Sequence, residues 1–183
     1  RMDAELAAHG RRVLSKWVSV RTHALDAVQS FFEQRMALQA GAWLAVHVRL
    51  TDRAESNARP EELLAREVIR FAAALCCDGV LLCSDDPSAK SQLAGGLRRQ
   101  GLAVAECGSS LSGRGLPAHK DFLVDRHRNS QDMLVECLLM AQCKALLGTW
   151  SNVSAAVVWM APEGFQHFLF GDAIPGEVFE AVD

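Results

Sequence analysis

The chain has 183 residues, 50% hydrophobic and 22% charged, with 19 Lys+Arg against 22 Asp+Glu for a formal net charge of −3. A domain of this size buries roughly 70% of the surface its unfolded chain exposes, so one self-sufficient core is expected and disorder is excluded as the main state. The mildly acidic balance without a Lys/Arg block gives no footprint for nucleic acid or an anionic membrane, and no apolar run approaches the roughly 20 residues of a bilayer span.

The sequence starts at Arg1 in an amphipathic segment, without a signal-like leader, and reads as a piece of something longer. Residues 1–40 form a helical lead-in: Leu6, Val13, Leu14 and Trp17, then Leu25, Val28, Phe31, Phe32 and Met36, recur at spacings near three and four, and Gly41 ends the run. The domain proper, 41–183, opens with Trp43 to Leu50, a short run apolar enough for a strand buried on both faces, carrying His47 and Arg49 near its C-terminal end. Pro60 opens a helix to about Cys76. Val80 to Cys83 is a second buried strand, followed by Ser84-Asp-Asp-Pro87, whose polar residues would cap the next helix.

Leu102 to Ala105 is a third strand, and residues 106–120, rich in Gly and Ser, form the one long loop. Asn129 to Cys143 reads as a helix, Ala145 to Thr149 as a fourth strand, Trp150-Ser-Asn152 as a tight turn into a helix that ends before Pro162, and Phe168 to Phe170 as a last strand. This alternation predicts an α/β fold, Rossmann-like, with a mostly parallel sheet and helices on both faces. Of the six cysteines, most lie in apolar runs, none shows zinc-type spacing, and buried thiols are expected. A Cys83–Cys107 or Cys137–Cys143 bridge in an oxidising lumen stays open.

In parallel sheets ligands sit beyond the carboxyl ends of the strands. Three strands end there in polar clusters: His47/Arg49/Thr51/Asp52, Ser84/Asp85/Asp86 and Thr149/Ser151/Asn152. Arg49 and a helix N-terminus at Ser151 and Asn152 suit a phosphate or diphosphate, and Asp85 and Asp86 suit the hydrogen bonds of a base or sugar. Read alone, Asp85-Asp-Pro87 is equally a helix-start sequence. Asn152-Val-Ser154 matches a glycosylation sequon, but a helix opening inside the crevice makes a glycan there unexpected. The motifs of dinucleotide oxidoreductases, P-loop NTPases and nucleophile-elbow hydrolases are absent.

Taken in order, three segments resemble the catalytic domain of fucosyltransferases that use GDP-fucose, most closely the α1,6 group with its nodulation-type relatives and more distantly the α1,2 enzymes. They are Val46-His-Val-Arg-Leu-Thr-Asp52, Val80-Leu-Leu-Cys-Ser-Asp-Asp-Pro-Ser88, and the stretch from Glu136 to Lys144 followed by Leu146-Leu-Gly-Thr-Trp-Ser151. The resemblance implies the donor-binding C-terminal lobe of a two-lobed, GT-B glycosyltransferase that inverts the anomeric centre without a metal.

By position it assigns His47, Arg49, Asp85, Asp86, Glu136, Ser151 and Asn152 to the donor, with Arg49 on the diphosphate and Glu136 on guanine. Arg49 also serves catalysis, with Asp52 or Glu55 taking the acceptor proton. The expected partners are a nucleotide sugar and a glycan or glycoprotein acceptor, with no cofactor, no nucleic acid and no membrane contact from this segment, and the expected compartment is the Golgi lumen. Leu50 stands where the family has a second arginine, and Asn57 falls near the family's proposed base. These departures make a non-catalytic nucleotide- or glycan-binding module the alternative. A Rossmann-like hydrolase with Asp85 or Asp86 as nucleophile, which would require Mg²⁺, is a third reading.

Overall fold

The computed structural model describes residues 2–36, 42–49, 60–107 and 125–173. Their order is α1 (Ala4–Trp17), α2 (Thr22–Arg35), β1 (Trp43–Val48), α3 (Glu61–Ala74), β2 (Gly79–Ser84), α4 (Pro87–Arg99), β3 (Ala103–Glu106), α5 (Arg126–Gln142), β4 (Ala145–Gly148), α6 (Asn152–Met160) and β5 (Gln166–Leu169). The five strands form one parallel sheet in the order β3-β2-β1-β4-β5. The chain is therefore α/β and Rossmann-like, with helices on both faces.

β1 and β2 are buried along all six residues because each face of the sheet meets helices, which is why both read as mostly apolar runs, with the polar exceptions His47 and Ser84 near their carboxyl ends. Successive side chains alternate between two cores. Ala45, Leu81, Cys83 and Leu146 pack with Phe32, Leu139, Met140 and Val157 of α2, α5 and α6. Leu44, Val46, Leu82 and Leu147 pack with Val68, Phe71, Leu93 and Leu97 of α3 and α4.

The lead-in is two helices rather than one run. α1 lies against α6, where a Cβ at Gly10 would strike the Trp159 ring and Arg11 Nε donates to the Ala161 carbonyl at 3.0 Å. α2 lies against α5 and ends at Arg35, with Met36 as its cap; Gly41, expected to end the run, lies outside the described residues.

α5 starts three residues before the expected Asn129, because the Asp125 carboxylate accepts from the His127 and Arg128 amides at 2.9 and 3.2 Å and supplies the cap earlier. β5 likewise begins at Gln166, two residues before the expected Phe168. Most of the expected long loop, with Leu50, Thr51, Asp52, Glu55 and Asn57, lies outside the described residues. No described helix is long and apolar enough to cross a membrane.

Candidate functional site

The sheet register fixes which side chains meet at the carboxyl edge. His47 of β1 pairs with Cys83 on one side and Gly148 on the other, and Val48 pairs with Ser84. One step further, Arg49 and Asp85 are neighbours. Gly148 is required by this closeness: a Cβ there would stand 2.7 Å from the His47 carbonyl oxygen. Just past β4, the Thr149 amide donates to that same carbonyl at 3.0 Å, and the Arg49 amide donates to Thr149 Oγ1 at 3.1 Å. These two bonds latch the end of β1 to the end of β4, two residues before the Ser151 cap of α6.

His47 is only 5% exposed, and its Nδ1 has no hydrogen-bond partner among the described residues. Burial drives the imidazole pKa down to about 4; Asp85 opposes the shift and Arg49 adds to it. The ring is therefore neutral at pH 7, and each nitrogen is limited to one role, donor or acceptor.

The turn into α6 is held by two hydroxyls, those of Ser151 and Ser154. Ser154 Oγ donates to the Thr149 carbonyl at 2.6 Å, which uses its one proton, so the 3.1 Å contact between Ser151 and Ser154 has Ser151 as donor. Ser151 Oγ also accepts from the Ser154 amide at 3.1 Å as the helix cap. Ser151 thus serves the turn with its side chain, and what it brings to a ligand is the position of the first-turn amides of α6, beside an exposed Asn152.

The two aspartates divide in the same way. Asp86 Oδ1 accepts from the Ser88 and Ala89 amides at 2.8 and 3.0 Å and caps α4, while Ser84 Oγ accepts from the Asp86 amide at 3.2 Å. The helix-start reading of Asp86 is therefore realised, and Asp85 is the member of the pair at the β1–β2 edge, beside Arg49 and acting on His47.

Glu136 of α5 faces the ends of β2 and β3. With Phe31, Cys107, Asp132 and Leu139 it lines a cavity of about 140 Å³ between α2, α5 and the end of β3. All six cysteines are free; four are buried, Cys77 is half-buried and Cys76 is exposed, so neither open disulfide is formed.

The sequence gives no sign of one further feature and only part of another. Lys90 is 8% exposed and its Nζ donates to the Cys107 carbonyl at 2.7 Å, bracing the end of β3 against α4. Cys83, Cys107 and Glu136 place one ligand atom each within 4.8 Å of one another. Spacing along the chain signals neither the Lys90 contact nor the approach of Glu136; the Cys83–Cys107 pairing left open by the sequence is realised as two free thiols side by side, set there by the β2–β3 register, Leu82 opposite Glu106.

No protein-family model and no curated protein matches the sequence. Solved structures do match. A NodZ α-1,6-fucosyltransferase co-crystallised with GDP aligns at TM-score 0.53 and 20% identity, over 81% of this chain and 44% of that one. POFUT1 in complex with GDP aligns at TM-score 0.61 and 10% identity, over 93% of this chain and 52% of that one. POFUT1 in complex with GDP-fucose aligns at TM-score 0.59 and 10% identity, over 93% of this chain and 51% of that one. The chain has a fucosyltransferase-like fold. It spans about half the length of the solved structures it matches.

Proposed function

We propose that this chain is the donor-binding lobe of a fucosyltransferase-like glycosyltransferase of the GT-B type. It binds GDP-fucose at the carboxyl edge of the sheet and, with a second lobe, transfers fucose to a glycan hydroxyl with inversion and without a metal. The observation that supports the reading is the Thr149 latch, which ties the Arg49 backbone to the turn that leads into α6, in a fold shared with fucosyltransferases solved with GDP and GDP-fucose.

In the reaction the acceptor oxygen bonds to the anomeric carbon as the bond from that carbon to the β-phosphate oxygen breaks, and GDP leaves with the bonding pair. The Arg49 guanidinium and the first-turn amides of α6, with Asn152 beside them, stabilise the charge that develops on the diphosphate. Asp85 orients the guanidinium, and neutral His47 stands next to the nucleoside without adding charge. Glu136, at its cavity, accepts the N–H donors of guanine. Asp52 or Glu55 takes the acceptor proton.

Calorimetric titration with GDP in chelator-treated buffer tests this. Arg49→Ala should weaken binding by about 1.5 to 3 kcal/mol, roughly 10- to 150-fold. Equal affinity in parent and variant overturns the cradle. Leu50, in place of the family's second arginine, favours a second reading as a nucleotide-binding module without turnover. Release of GDP from GDP-fucose by the protein in the presence of a glycan acceptor excludes that reading.

A further inference from the structure

We propose that Cys83, Cys107 and Glu136 form a binding site for a thiophilic divalent cation, with Zn²⁺ as the ion their chemistry favours. The three come from different elements: Cys83 from β2, Cys107 just past β3, and Glu136 from α5, which crosses that face of the sheet. The parallel register sets the two thiols side by side on one face, because Cys83 and Cys107 follow the paired residues Leu82 and Glu106. Three atoms no more than 4.8 Å apart always enclose a point within about 2.8 Å of each, against the roughly 2.3 Å of a zinc–thiolate bond and about 2.1 Å of a zinc–carboxylate bond. Small side-chain rotations close that gap.

Two thiols and one carboxylate are a borderline-soft donor set that selects zinc over magnesium or calcium. An entry path exists: Cys107 and Glu136 line the cavity of about 140 Å³ between α2 and α5, and Asp132, one helical turn before Glu136, lines it too. That cavity admits the water or carboxylate of a fourth position.

Binding would require both thiols to release their protons, since the thiolate is the ligand. Cys143, whose thiol donates to the Leu139 carbonyl at 3.5 Å, is committed elsewhere.

The site does not depend on the GDP reading, although Glu136 serves in both. Zinc is tested without nucleotide and GDP without metal, so one can fail and the other stand. The reduced protein is titrated with Zn²⁺ against a chromophoric chelator, and with Co²⁺ as a spectroscopic substitute. We expect one equivalent bound, a thiolate-to-cobalt charge-transfer band, and a loss of affinity of at least about tenfold in Cys107→Ser and in Glu136→Gln. Because core variants can misfold, the parent is also alkylated with and without Zn²⁺ and its cysteines mapped by mass spectrometry. Zinc should protect Cys83 and Cys107 and leave Cys76 and Cys77 reactive. Absence of the charge-transfer band, unchanged affinity in the variants, or protection of Cys76 and Cys77 instead overturns the proposal.

Discussion

Thr149→Val isolates the latch between the two central strands. The substitution keeps the side-chain volume and branching but removes the acceptor for the Arg49 amide, a 3.1 Å bond at a position where Thr149 is 9% exposed. A fully buried donor left without its acceptor costs about 1 to 3 kcal/mol. Because this bond is part-buried and water reaches one side of it, about 1.5 kcal/mol is expected, or a melting temperature lower by roughly 3 to 6 °C for a domain of this size. The remaining bonds of Thr149, from its amide to the His47 carbonyl and from Ser154 Oγ to its own carbonyl, use backbone atoms and persist. The fold should therefore survive, and the loss should appear as freedom at Arg49. GDP affinity should fall about threefold to tenfold, equivalent to roughly 0.7 to 1.4 kcal/mol. Thr149→Ser, which keeps the hydroxyl, should recover most of both effects. In an Arg49→Ala background the same Thr149→Val change should leave GDP affinity untouched, since the latch acts through that guanidinium. An unchanged melting temperature and GDP affinity in Thr149→Val would refute the latch, and an additive loss in the double variant would refute its action through Arg49.

Three further outcomes follow from the same edge of the sheet. Gly148→Ala sets a Cβ 2.7 Å from the His47 carbonyl, a backbone atom that cannot swing away, so urea denaturation should show a loss of about 1 to 3 kcal/mol; a neutral result would mean the strand ends are not closed this tightly. Asp86→Ala removes the cap of α4 and should cost about 0.5 to 2 kcal/mol, with Asp86→Asn near neutral, while GDP affinity in the alanine variant measures what the carboxylate does beyond capping. His47, held down to about 4 by burial, stays neutral in the folded protein while the unfolded chain takes up a proton below about 6.5. Its contribution is therefore fully present above pH 6.5 and lost as the pH falls toward 4, by about 3 kcal/mol in all. Denaturation curves at pH 7 and 4.5 should show this slope in the parent and a shallower one in His47→Gln, and equal slopes would assign it to other groups.

The sheet was legible in the sequence because β1, β2 and β4 are buried on both faces, which leaves apolar runs such as Trp43 to Val46 and Gly79 to Cys83. Helix starts were less legible. Asp125 and Asn129 are both good caps, and the choice between them depends on where the chain arrives from, which local composition does not record. The polar residues at the strand ends show the same limit in a sharper form. Asp85 and Asp86 are adjacent and chemically identical, yet one caps a helix through Oδ1 and the other sits beside Arg49 and His47. Ser151 and Thr149 match the position of ligand-binding hydroxyls, but a hydroxyl has one proton and two lone pairs, and at Ser151 the proton and one acceptor site are committed to Ser154. A motif therefore states which residue types stand near a ligand, whereas hydrogen-bonding capacity left over after the turn is built decides which of them reach it. On the proposed reading, anion binding at this edge would rest on the Arg49 guanidinium and the first-turn amides of α6, of which the amides have no letter of their own in the sequence. Asn152→Ala, which keeps those amides, should therefore cost far less GDP affinity than Arg49→Ala; an equal loss in both would place the anion on the Asn152 side chain instead.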